Sequence, residues 1–142
     1  MVEGPRSVFI VPLHEDRRTI LVRQWRHAWA ASSWEVPAGT LEEAEAPEAG
    51  ARRELDEEAG LRASEWIDLG VTRGTAGGDL LGYLYLARGL TTVPRAPEAY
   101  EHDMITLDIP FTDALEEALT GGIAHSASAA AITRAARHLG LV

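Results

Sequence analysis

The sequence contains no lysine, no asparagine and no cysteine, and all 13 of its basic residues are arginine. These absences exclude a lysine Schiff base, a P-loop lysine, a catalytic thiol, a cysteine-ligated zinc and a disulfide framework. There is no run of 18 apolar residues, and the opening MVEGPRSVFIVPLHEDRR lacks the charged start and small-residue cleavage site of a signal peptide. A soluble, cytoplasmic protein with no membrane partner is expected. Basic tracts are missing as well: 22 acidic residues against 13 arginines give a net charge of −9. That balance argues against a nucleic-acid polymer as partner, because such affinity comes from clustered basic side chains. Small anionic substrates stay open if a divalent cation bridges them.

The chain of 142 residues suits one domain with one core, spanning 1–142. Apolar alternation and β-branched residues predict strands at Ser7–Leu13 and Thr19–Trp25, joined as a hairpin through the polar His14–Arg18 turn. A loop containing Ala30–Ser33 leads to a short extended piece at Trp34–Pro37. The Gly39–Leu61 segment reads as loop and then helix, with Pro47 in the first turn and Gly60 as the C-terminal stop. Further strands are predicted at Trp66–Thr72, Leu80–Ala87 and Met104–Ile109, with a Gly-rich turn at Gly74–Gly78 and a loop at Thr91–Pro97. Thr112 is the expected cap of one helix ending at Gly121-Gly122, and Ser126 or Ser128 starts a last helix ending before Gly140. A mixed sheet with helices packed on it follows.

Charge is concentrated in one place. Between Gly39 and Leu61 stand Glu42, Glu43, Glu45, Glu48, Glu54, Asp56, Glu57 and Glu58 against Arg52 and Arg53, so −6 of the net −9 lies within that segment. Acids near a helix N-terminus are ordinarily a solvated face favoured by the macrodipole. Here helical spacing puts Glu54, Glu57 and Glu58 on one face, with Ala51, Leu55 and Ala59 as an opposing apolar stripe. Three carboxylates in one patch repel, and Arg53 can offset part of that through Glu57 and by reaching back to Glu45. A hard divalent cation would offset the rest, since carboxylate oxygens suit magnesium or manganese.

Read as Gly39, five residues, Glu45, seven residues and then Arg53-Glu54-Leu55-Asp56-Glu57-Glu58-Ala59-Gly60-Leu61, the segment resembles the full signature of the Nudix hydrolases. A chance match of this length has odds of order ~10⁻⁷ at average residue frequencies. The resemblance implies an α/β/α sandwich around a mixed sheet, and metal-dependent hydrolysis of a nucleoside diphosphate linked to another moiety. By the same resemblance Glu54 and Glu58 are the principal ligands of Mg²⁺ or Mn²⁺, with Glu57 a further or water-bridged one. The Ala38 carbonyl completes the shell, and Arg53 and Glu45 brace it.

Outside the box, Leu21–Arg26, Trp34–Gly39 and Asp108-Ile109-Pro110 are similar to segments of ADP-ribose pyrophosphatases and nucleotide-sugar hydrolases. Thr75–Gly78 stands where members that cleave ADP-ribose carry a proline, so nucleoside triphosphates and dinucleoside polyphosphates stay open as substrates. A nucleotide sensor without turnover is the alternative of another class. Glu101 is the candidate loop base or extra metal ligand, with Glu98 second; a solvent-facing loop acid is the alternative role. Arg23 and Arg26 point to opposite faces of a strand, and either could clamp a phosphate. Trp34 borders the box and either lines the pocket or packs in the core, while Trp29 and Trp66 read as core. The five histidines show no zinc-binding pair. Both a monomer and a homodimer are compatible with this composition.

Overall fold

The run Val8-Phe9-Ile10-Val11 is apolar at every position, the pattern of a strand buried on both faces. In the computed structural model, which describes residues 5–74, 80–94 and 105–142, this run forms β1 (Arg6–Pro12) in the interior of a four-stranded sheet. Its neighbours are β4 (Ala38–Thr40), antiparallel, and β6 (Leu81–Thr92), parallel; β5 (Leu61–Arg73) pairs with β6 at the far edge. A second, three-stranded antiparallel sheet has β2 (Arg18–Arg26) between β3 (Ala31–Glu35) and β7 (Thr106–Pro110).

Alternate residues of β1 serve two cores. Val8 and Ile10 pack with Leu41, Ala51, Leu55, Leu61 and Tyr85 under α1 (Pro47–Glu54). Phe9 and Val11 pack with Leu84, Leu86, Phe111, Ala131 and Ile132 under α2 (Phe111–Thr120) and α3 (Ser126–His138). Helices thus cover both faces of the mixed sheet, the expected α/β/α arrangement. No helix among the described residues is long and apolar enough to cross a membrane.

Several expectations need correction. The β1–β2 hairpin does not form: the His14–Arg18 turn is present, but only an isolated Leu13–Thr19 bridge links the two segments, because β1 is claimed on both sides by β4 and β6. The loop read at Ala30–Ser33 is strand from Ala31 onward, held in register by Arg26↔Ala31 and Trp25↔Ser32. Gly39 lies in β4 rather than in a loop. Strands β5 and β6 run well beyond the predicted Trp66–Thr72 and Leu80–Ala87, and a bulge at Asp68/Val71 lets them keep pairing. The residue at the start of α2 is Pro110 rather than Thr112. α3 starts at Ser126, but its cap is His125, whose side chain accepts from the Ser128 amide. Trp29 is about half exposed, at 48%, rather than buried in the core. Met104, residues 75–78 of the Gly-rich turn and residues 95–97 of the proline loop lie outside the described residues.

Candidate active site

The acidic box is assembled where β4 meets the helix that follows it. Pro47 opens α1 as predicted, and Ala51 and Leu55 turn inward as its anchoring stripe. After Glu54 the winding changes to a π turn over Leu55–Ala59, closed by Gly60 at φ 65°. That left-handed conformation is one glycine adopts without strain. The i→i+5 ladder advances less per residue than an α-helix, so Glu57 falls further from the Glu54 direction while Glu58 stays near it. The side chain of Glu57 is accordingly 60% exposed and that of Glu54 only 11%.

Arg53 is the hub of the box. Its Nε donates to Glu45 Oε2 at 2.9 Å; Nη2 donates to Glu45 Oε1 at 2.9 Å and the Thr40 carbonyl at 3.3 Å; Nη1 donates to Glu54 Oε1 at 2.8 Å and Glu57 Oε2 at 3.4 Å. Five N–H groups meet five acceptors. The fork holds the Glu45 carboxyl down at about 2, and raises the pKa of Arg53 itself. Glu45 also accepts from the Glu42 amide at 3.0 Å, tying the loop before α1 to the helix.

Glu54 and Glu58 behave differently. Burial raises the Glu54 pKa against the pull of Arg53. Glu58 is pushed up to about 7, first by burial and then by the charges of Glu54, Glu35 and Glu57, although the Ala38 amide donates to its Oε2 at 3.0 Å. Gly39 explains how Glu54 fits: a Cβ there would lie 2.0 Å from Glu54 Cδ, so the missing side chain is the cradle for that carboxylate. An all-oxygen donor set short of positive charge, seated in such a cradle, fits a hard divalent cation. Among the described residues no three such groups converge as a preformed cage. Glu54 is engaged by Arg53 and Glu58 by Ala38 in this conformation.

A second polar cluster lies close behind. Glu35, only 2% exposed, is gripped through both oxygens by Arg26 Nε and Nη2. The strand register explains the pair: Val22↔Glu35 and Arg26↔Ala31 place both side chains on one face of the β2–β3 ladder. His125 Nε2 stands 3.8 Å from Glu35 Oε1, and its Nδ1 meets Ser128 Oγ at 2.8 Å. Burial lowers the His125 pKa, with Glu35 opposing and Arg26 adding to the shift. Arg26 and His125 also line a pocket of about 380 Å³ with Trp25, His27, Ala28 and Trp29.

The structure therefore brings together Ala38, Gly39, Glu45, Arg53, Glu54, Glu57, Glu58 and Gly60. It does not add Arg23, which is exposed on the other face of β2, or Trp34, which is half-buried and packs against the core. Glu101, Glu98 and His102 lie outside the described residues. Sequence reasoning missed Glu35 and His125 as a linked pair. A signal was available in the Glu35 side chain, an acid within the otherwise apolar Trp34–Pro37 stretch and four β-ladder steps from an arginine.

Residues 4–121 match the NUDIX domain family, and the chain belongs to that family. It is 38% identical over 138 residues to an ADP-ribose pyrophosphatase of Mycobacterium tuberculosis (strain ATCC 25618 / H37Rv), covering 93% of this chain and 65% of that protein. It is 34% identical over 122 residues to the methanol dehydrogenase activator of Bacillus methanolicus, covering 84% and 63%. An ADP-ribose pyrophosphatase of Bacillus subtilis (strain 168) is 29% identical over 118 residues, with 82% and 64% covered. The chain thus spans a little under two thirds of the length of these curated relatives. A solved structure described as an ADP compounds hydrolase superposes with a TM-score of 0.79 at 19% identity, over 97% of this chain and 76% of that one, and shows the shared fold.

Proposed function

We propose that the protein is a metal-dependent pyrophosphatase that hydrolyses the diphosphate of a nucleoside diphosphate derivative of the ADP-ribose or nucleotide-sugar type. The observation that carries the reading is the complete acidic box, folded so that Glu54 lies against Gly39 and is braced by Arg53, while Glu58 accepts from the Ala38 amide. The ADP-ribose pyrophosphatases among the relatives support the substrate class.

Glu54 and Glu58, with Glu57 and the Ala38 carbonyl, would hold Mg²⁺ or Mn²⁺. Bound there, the cation supplies charge neutralisation at the diphosphate oxygens and a lowered pKa for water. Arg53 fixes the Glu54 carboxylate and restrains Glu57, leaving no donor of its own for substrate. A box glutamate left outside the metal shell is one candidate to take the proton from the attacking water. Glu101 is a second candidate for that proton transfer. The pocket beside Arg26 and Trp25 offers indole surface for a nucleobase and a guanidinium for phosphate.

The test is release of monophosphate from a panel containing ADP-ribose, nucleotide sugars, nucleoside triphosphates and dinucleoside polyphosphates, with Mg²⁺ present. Turnover of the diphosphate derivatives, lost in Glu58→Gln with the fold intact, is the expected result. Preference for triphosphates would overturn the substrate class. Thermal stabilisation by nucleotides without release from any of them would instead identify a sensor.

A further inference from the structure

Glu35 is the most deeply buried acid among the described residues, at 2% exposed. Holding the sheet together does not account for it. β2 and β3 already pair through their backbones over five positions, from Val22↔Glu35 to Arg26↔Ala31. A carboxylate taken out of water is costly, and replacing such an ion pair with apolar side chains is often neutral for stability or favourable. Its partner lies at the other extreme: the Arg26 side chain is 40% exposed and lines the pocket with Trp25 and Trp29. Arg26 Nε donates to Glu35 Oε2 at 2.7 Å and Nη2 donates to Oε1, a side-on fork that fixes the guanidinium plane. The gripped edge faces a buried carboxylate, so the exposed edge is the opposite one, which carries Nη1. Neither N–H of Nη1 is used by a protein acceptor among the described residues.

The carboxylate is itself held in place. The Val36 amide donates to Ser128 Oγ at 3.0 Å, which ties the residue after Glu35 to the first turn of α3. The Ser128 hydroxyl proton is then free for His125 Nδ1 at 2.8 Å, and the Ser128 amide donates to the same nitrogen at 3.3 Å. With Nδ1 accepting, this network assigns the proton of the neutral ring to Nε2, which stands 3.8 Å from Glu35 Oε1. An N–H dipole there favours the charged form of Glu35. The same carboxylate lies close enough to the acidic box for its charge to act on Glu58. The Arg26–Glu35 pair therefore adjoins both the pocket and the box.

We propose that Glu35 is a positioning residue for the hydrolysis, holding Arg26 so that its Nη1 edge meets a phosphate of the nucleoside diphosphate derivative beside the acidic box. This rests on the activity proposed above and gives the buried acid a part in it that involves no proton transfer. Without the fork, a guanidinium on a partly exposed, flexible stem samples other rotamers. A misplacement of about 1 Å at a group that orients substrate costs up to about 10²-fold in rate.

The experiment is a double-mutant cycle with Mg²⁺ and ADP-ribose, reading kcat, KM and melting temperature for Glu35→Gln, Arg26→Ala and the pair. Glu35→Gln keeps the shape of the side chain and removes the charge that grips Arg26. It should lower kcat/KM by about 10- to 100-fold with the fold intact. In the Arg26→Ala background the same change should add less than about threefold, because the group it positions is gone. Millimolar guanidinium should restore part of the activity of Arg26→Ala, and that rescue should vanish in the pair, an effect a merely structural glutamate would not produce. If Arg26→Ala does not fold with its buried carboxylate unpaired, Arg26→Gln closes the cycle. Activity of Glu35→Gln within about threefold of the parent, losses that multiply in full, or guanidinium rescue that survives without Glu35 would overturn the proposal. If the parent releases no monophosphate, the proposed activity falls by itself, and the cycle is read as affinity for methylene-bridged ADP-ribose by calorimetry. Non-additive loss there supports the positioning role, and full additivity or no loss overturns it.

Discussion

Replacing Gly39 with alanine should separate folding from catalysis. Gly39 does not occupy the left-handed region, so alanine suits its backbone, and the Val8↔Gly39 pairing survives. The whole clash falls on one side chain: the new Cβ would lie 2.0 Å from Glu54 Cδ and 2.2 and 2.3 Å from its oxygens. Ordinary contact begins at 3.4 Å. The carboxylate must therefore withdraw by about 1.4 Å, and a displacement of that order costs about 10²-fold in rate, or about 2.7 kcal/mol of transition-state stabilisation. The fold should survive: Arg53 keeps its grip on Glu45, and disturbing the contact of one buried carboxylate costs about 1–3 kcal/mol. Steady-state kinetics, Mn²⁺ affinity by electron paramagnetic resonance and thermal unfolding on one preparation would read all three. In a Glu54→Ala background the same substitution should add almost nothing, since the clash is gone. Activity within threefold of the parent, with unchanged Mn²⁺ affinity, would refute the cradle.

Mg²⁺ or Mn²⁺ at about 100 times its dissociation constant should stabilise the fold by about 2.7 kcal/mol, reversed by chelator and absent from a Glu54→Gln/Glu58→Gln variant in differential scanning calorimetry. Leu55→Ala removes a fully buried side chain at the junction of α1 and the π turn, and should cost about 2–5 kcal/mol in urea unfolding. His125 has a lowered pKa in the fold, so the unfolded chain binds its proton more readily. Its contribution to stability is complete above the ordinary value of about 6.5 and is lost as pH falls below it. Melting temperatures at pH 7.5 and 5.5 should show that loss, and His125→Asn, which still offers a cap to α3, should flatten it.

The box was readable because its chemistry dictates residue type: a carboxylate patch needs Arg53, the turn after it needs Gly60, and close approach needs Gly39. The sheet was less readable. The apolar alternation at Thr19–Trp25 is the same signal whether the partner strand is adjacent in sequence or distant, so β1 was paired with β2 rather than with β4 and β6. Ala31-Ser32-Ser33 carries little strand preference and becomes strand because β2 offers it a ladder, a case of context overriding propensity. The cap at His125 escaped because an imidazole nitrogen does the work usually done by serine, while Ser128 is fully buried and accepts from the Val36 amide. The Glu35–Arg26 pair is nine residues apart in sequence, and only the register of β2 and β3 makes them neighbours.

The π turn at Leu55–Ala59 gives the box a constraint of a different kind. Because α and π windings meet between Glu54 and Glu58, the direction of each carboxylate depends on how many residues lie between them. Removing Asp56 would carry Glu58 into the place of Glu57 and leave Ala59 opposite the Ala38 amide; adding a residue would shift the phase the other way. Substitutions at the outward position can be absorbed there, but insertions and deletions cannot. The segment is governed by count as well as by chemistry, and its length is as much a part of the site as its glutamates.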